Sequence, residues 1–130
     1  MTPAEIKILQ ALSEQKKTRD MAELTKKQRD LNQIDTVINS LVDKVVAETN
    51  DFSLENMAVT NRWLGWADQE KSRLQRARID FQIAAEAARK IAAHSDAKTR
   101  VIGDLLTKAE ANALLDQRRH AEQMGQEPDK

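Results

Sequence analysis

Proline occurs at positions 3 and 128 and nowhere between them, and the only glycines are Gly65, Gly103 and Gly125. A chain with so few breakers has almost no point at which a helix must stop, so long helices are its expected local state. The apolar pattern then decides how those helices associate. In the first half Leu24, Leu31, Ile38 and Val45 recur every seven residues, and Ile34 and Leu41 fall three after Leu31 and Ile38. This is the alternation of a coiled-coil seam, a narrow apolar stripe along one side of a helix. Lys27 and Glu48 fall in the same register and weaken it locally, while Ile6, Leu9 and Leu12 continue an apolar face upstream less strictly.

The second half repeats the period from Leu74. Leu74, Phe81 and Ala88 alternate with Ala77, Ala84 and Ile91, and the same register resumes at Ile102, Leu105 and Ala109. Two stripes of like period can bury each other, so one chain supplies both strands. Ser95 and Lys98 interrupt the second stripe, with His94, Asp96 and Gly103 nearby. That stretch is expected to be the most weakly packed part of the second helix.

The boundaries follow from capping chemistry. Thr2-Pro3-Ala4-Glu5 reads as a helix start: Thr2 as N-cap, Pro3 where its missing N–H is harmless, and Glu5 placed for a capping box. Asn50-Asp51-Phe52-Ser53 groups turn and capping residues after the last seam position of helix one. Two starts for helix two are open, at Leu54 capped by Ser53 or at Asn61 capped by Thr60. The expected fold is all-α, a single coiled-coil hairpin of two antiparallel helices: helix one over about 3–49, a turn over about 50–59, helix two to about 123 and a frayed tail over 124–130. Helix two outlasts its partner and leaves a C-terminal overhang.

Composition narrows the function classes. With two Phe, two Trp and no Tyr in 130 residues there is little bulk for a thick core. Charged residues make up 32% and cancel to a net charge of zero, which argues against a duplex nucleic-acid face. Lys16, Lys17, Arg19, Lys26, Lys27 and Arg29 are interleaved with acids and read as a solvated surface. The absence of cysteine excludes disulfides and thiolate chemistry. No apolar run approaches the roughly 18 residues of a membrane span, and no basic region followed by an apolar one opens the chain. The expectation is a soluble, non-secreted protein without direct membrane insertion.

Catalytic constellations are lacking. His94 and His120 stand 26 residues apart on one helix, about 39 Å at the helical rise, too far to share a metal or a proton-transfer task. Carboxylates are expected in solvated i,i+4 pairs such as Glu23 with Lys27. No glycine-rich phosphate loop occurs, and a two-helix hairpin encloses no pocket. The chain reads as a non-enzymatic binding protein with no cofactor and no metal. Its distinctive surface is aromatic, since every aromatic residue lies between Phe52 and Phe81. Trp63 and Trp66 share one helical side; they either close the end of the hairpin or meet a partner. Trp66 lies in line with the later seam by way of Glu70, and Trp63, beside Arg62, is expected to be at least partly exposed.

Asn61-Arg62-Trp63 followed by an aromatic three residues later, at the start of a long second helix, resembles the FliJ family, the small helical stalk proteins of the bacterial flagellar export apparatus. Leu115-Asp116-Gln117-Arg118-Arg119 is similar to the tail of that family. The resemblance implies a fold like the central stalk of a rotary ATPase and a role in flagellar biogenesis and type III protein export. It implies a cytoplasmic protein, peripherally associated with the inner membrane, that couples the export ATPase ring to the membrane export gate and assists export chaperones. Leu114, Leu115, Asp116, Gln117, Arg118 and Arg119 would then face the ATPase, and Asn61, Arg62, Trp63, Trp66 and Leu74 the gate. Where the family presents an apolar strip past Trp66, this chain has Gln69, Arg73 and Arg76 unless the register slips by one to use Leu74 and Ala77. Two alternatives stand beside it: the stalk of a virulence-type III secretion system, and a structural coiled coil that self-associates through the aromatic tip.

Overall fold

The computed structural model describes residues 1–126, with the side chains of 1–125. It is an all-α helical hairpin of α1, Pro3–Asn50, and α2, Met57–Gln126. No strand occurs among the described residues. Helix α1 begins as its sequence dictates. The Thr2 hydroxyl accepts from the Glu5 N–H at 3.2 Å and donates to the Glu5 carboxylate, while the Ile6 N–H reaches the Thr2 carbonyl at 3.1 Å. These bonds satisfy donors that a helix start otherwise leaves open.

Helix α1 ends without glycine or a left-handed residue. The Asp51 N–H still bonds the Ala47 carbonyl at 3.1 Å, and the Phe52 N–H tightens the last turn onto Thr49 at 3.4 Å. Helix α2 then starts at Met57, at neither of the two positions expected from capping residues. Ser53 donates its N–H and its hydroxyl to the Asn56 side-chain oxygen, at 3.1 and 2.7 Å, and so fastens the turn instead of capping Leu54. Thr60 is buried in the first turn of α2, where its N–H makes the opening helical bond to the Asn56 carbonyl at 2.9 Å. The helix continues through Gln126, past the expected end near 123; of the tail, residues 127–130 lie outside the described residues.

Packing divides into two compact units, Met1–Met21 with the chain from Ile91 onward, and Ala22–Lys90. In both, the helices run antiparallel. Lys7 pairs with Glu110 and Lys17 with Asp96 in the first unit, and Asp35 with Arg78 in the second. The Ala22–Lys90 unit holds the apolar core. Ile34, Ile38, Leu41, Ala67 and Leu74 form it, with Leu31, Val42, Val45, Trp63 and Ala77 packed against it. On α1 these are residues of the expected heptad, joined by Val42 beside it.

The other unit departs from expectation on both helices. On α1 the heptad continues strictly upstream through Asp20, Lys17, Ser13, Gln10 and Ile6, all buried or half-buried, whereas Leu9 and Leu12 are exposed. The inward positions are therefore mostly polar. On α2 the seam runs through Ala77, Phe81, then Ala84 together with the more buried Ala85, then Ala88, Ala92, Ser95, Thr99 and Ile102. One of its two columns therefore moves by one residue, from 91, 98 and 105 to 92, 99 and 106, while Phe81, Ala88, Ser95, Ile102 and Ala109 keep the strict seven-residue count. Ile91 is consequently 52% exposed and Ala92 only 2%, and Leu106 rather than Leu105 faces inward.

The shifted register has a direct test in chemical denaturation. Ala92→Leu overfills a closed seam and is expected to cost about 1–3 kcal/mol. Ile91→Ala removes an exposed side chain and should cost no more than about 0.5 kcal/mol. The reverse order of the two would restore Ile91 to the seam.

Candidate functional site

Two surfaces fall to consideration, one in each unit. The first is at the start of α2, where the turn delivers Thr60, Trp63 and Ala67 to the seam at steps of three and four. Trp63 is half-buried and packs against the apolar core, while Trp66, one turn on, is 54% exposed. Their rings are in contact, with centroids 6.4 Å apart and planes tilted by 45°, an arrangement favoured by the charge distribution of aromatic faces and edges. Of the two tasks open to these rings, Trp63 closes the seam and also props Trp66 from behind. Phe52 and Phe81 take no part in this ring contact.

Around Trp66 the surface is polar and of mixed charge, with Asp68 and Glu70 beside Arg73 and Arg76. Asn61 and Arg62 are exposed, and Gly65 leaves open space where a Cβ would stand. Trp66 lines a shallow groove with Gln69, Glu70, Arg73 and Arg76. The Arg73 guanidinium grips the Glu70 carboxylate, which holds that carboxyl below its ordinary range. Leu74 belongs elsewhere. It is buried in the core with Ile38 and Leu41, so its assignment to a partner surface is corrected: the side chain is committed to the hairpin.

The second surface is the end of α2. Ala113 is the last half-buried seam residue, and Leu114, Leu115, Asp116, Gln117, Arg118 and Arg119 are all exposed. The exposed Leu114 and Leu115 beside a basic pair form an apolar and charged segment with no helix of this chain across from it among the described residues.

Sequence reasoning missed a third feature, a hydrogen-bonded layer inside the Met1–Met21 unit. The Ser95 hydroxyl, 3% exposed, donates to the Asp20 carboxylate, which also accepts from the Lys16 ammonium at 2.7 Å. One turn on, the Ser13 and Thr99 hydroxyls bond at 2.7 Å, and Thr99 donates to the Ser95 carbonyl. Asp96 bridges Lys17 at 3.0 Å and Arg100 at 2.7 Å. The stretch expected to be weakly packed is thus closed by polar contacts, because the register shift places Thr99 rather than Lys98 in the seam. No buried side-chain polar atom among the described residues lacks a partner. Hydrogen bonding from Lys16, then from Ser95, holds the Asp20 carboxyl below the ordinary aspartate range, and Lys17 does the same for Asp96.

His94 and His120 are both exposed. No group of three or more metal-ligating side chains, and no helix long and apolar enough to cross a membrane, occurs among the described residues. No family model, no characterised protein and no solved structure matches the chain.

Two outcomes follow from this geometry. With single-tryptophan variants, acrylamide should quench the Trp63→Phe protein, which keeps Trp66, more strongly than Trp66→Phe; equal quenching would contradict the division of roles. Asp20 has a folded-state pKa below its unfolded value, so its charge stabilises the fold above about pH 4. That contribution is lost as pH falls through the depressed value. Asp20→Asn should therefore lower the melting temperature at pH 7, and by less as the pH falls below about 4, as followed by circular dichroism.

Proposed function

We propose that this protein is a non-enzymatic stalk of the flagellar export apparatus, which couples the export ATPase ring to the membrane export gate. The observation that carries this reading is the bare end of α2. From Leu114 to Arg119 the helix presents two leucines and a basic pair with no opposing strand, the kind of segment a ring of subunits can grip. The similarity of Leu115-Asp116-Gln117-Arg118-Arg119 to the FliJ tail supports the same assignment.

The surface at the start of α2 supplies the gate contact in this reading. With Leu74 committed to the core, that contact falls to Asn61, Arg62, Trp66 and the open edge of Trp63. An exposed tryptophan fixed by a second ring is pre-ordered, so little side-chain freedom is lost on binding. Escorting of export chaperones belongs to the same proposal, as does a cytoplasmic location held at the inner membrane through the apparatus. The mechanism is conformational. A helix pair presented unequally to the members of a ring biases their nucleotide states by its differential affinity for them. No bond is made or broken on the stalk itself. The same features serve the stalk of a virulence-type system, and the identity of the neighbouring export genes separates the two.

Mixing the purified protein with its cognate export ATPase should promote ring assembly and raise ATP turnover. Leu114→Asp with Leu115→Asp should weaken that association roughly tenfold, about 1.4 kcal/mol, with helix content unchanged by circular dichroism. The absence of binding, ring assembly and stimulation in the wild type would sink the proposal.

A further inference from the structure

The two flanks of the seam in the Met1–Met21 unit differ in kind. Residues that follow a seam position by one, Lys7, Asp96 and Glu110, are joined across the helices as Lys7–Glu110 and Lys17–Asp96–Arg100. Residues that precede a seam position by one lie on the other flank, because one residue turns a helix by about 100°. There Leu9, Leu12 and Lys16 of α1 face His94 and Lys98 of α2 across a groove of about 260 Å³, with the half-buried seam residue Ile102 at its wall. Leu12 is 57% exposed, and Ile91 and Leu105 extend the same flank along α2 in the open. This is where Leu9 and Leu12 lie, with Gln10 and Ser13 in the seam in their place.

Apolar side chains on both antiparallel helices, Leu9 and Leu12 on α1 and Ile102 with the exposed Leu105 one turn on along α2, form the seat of a third helix, which lays its own apolar stripe between them. The charge of the groove selects the occupant. Its ionisable lining is Lys16, Lys98 and His94, with no carboxylate among the described lining residues. Lys16 is already engaged by Asp20, while Lys98 forms no ion pair among the described residues. A second copy of this chain is a poor fit, since a two-fold contact sets the same patch against itself and brings these cations together. An apolar stripe bordered by carboxylates is complementary. We propose that the groove bounded by Leu9, Leu12, Ile102 and Leu105 docks an acidic amphipathic helix of a partner protein, which completes a three-helix bundle. The proposal stands independently of the export-stalk reading.

The probe is a fluorescent amphipathic peptide of about 21 residues, roughly six turns, with leucines in heptad positions bordered by Glu, alongside a twin in which every Glu is Lys. Titrated with the full chain and read by anisotropy, the Glu peptide should bind at least roughly tenfold more tightly than its twin, and the difference should shrink as salt is raised. Leu12→Glu and Lys98→Glu should each weaken the Glu peptide by a similar factor, and Ile83→Glu, an exposed change in the other unit, should leave it unaltered. Because Leu12 and Lys98 are exposed, helix content by circular dichroism should be unchanged in both variants. Failure of the Glu peptide to bind, equal binding of the twins, or indifference to Leu12→Glu would overturn the proposal. Sedimentation showing a wild-type dimer that Leu12→Glu converts to monomer would overturn it in favour of a second copy.

Discussion

Everything in this hairpin depends on how little material lies between its helices. The seam on α1 is one residue wide at each level, and the residues that meet it from α2 are small or polar for much of the second helix: Ala67, Ala77, Ala84, Ala88, Ala92, Ser95 and Thr99. Small side chains allow close approach, but each contributes modest apolar burial. Close approach in turn makes a buried polar atom without a partner costly. The layer formed by Ser13, Lys16, Asp20, Ser95 and Thr99 meets that condition with hydrogen bonds rather than bulk. Such a layer contributes alignment more than cohesion, since a slip by one residue would leave hydroxyls and a carboxylate unmatched.

The fold class was legible because two kinds of signal agreed. Sparse breakers allowed long helices, and the heptad of Leu24, Leu31, Ile34, Ile38, Leu41 and Val45 told them to pair; those α1 residues occupy the inward face in the structure. Of the two seam columns of α2 after Ala84, the one through Ala88, Ser95, Ile102 and Ala109 was legible and the other was not. Alanine at 84, 85, 87, 88, 92 and 93 carries almost no periodic signal, and the bulk of Ile91 and Leu105 drew the heptad onto the wrong residues. The same preference for bulk continued the apolar face through Leu9 and Leu12, although the strict seven-residue count from Leu24 leads to Lys17 and Gln10. Here periodicity was the better guide than hydrophobicity.

The start of α2 shows a different limit. Ser53 and Thr60 are both good caps by residue type, but capping depends on which acceptor and donor the turn brings together. Asn56 supplied the acceptor for Ser53, and Thr60 went to the seam. Asn61, Arg62, Trp63 and Trp66 were visible as an anomaly in composition, yet the split between a packed Trp63 and an exposed Trp66 needed the position of the core cluster that Trp63 packs against. Leu74 illustrates the converse. A leucine about two turns past Trp66 looks like part of the candidate surface until the opposing helix is in place.

Polar residues inside and leucines outside are usually read as a defect of a helical pair, and in isolation they would be. The polar layer weakens cohesion at the very levels where Leu9, Leu12, Ile91 and Leu105 remain in water. Both terms change sign in the presence of a third helix. Burial of the outward leucines adds the apolar contact that the seam lacks, and exclusion of water from the flank strengthens the bonds among Lys16, Asp20 and Ser95 by lowering the local dielectric. A partner helix would thus draw on energy that the hairpin has left unused, and the polar seam, already satisfied within the chain, would fix the register against which that partner is read.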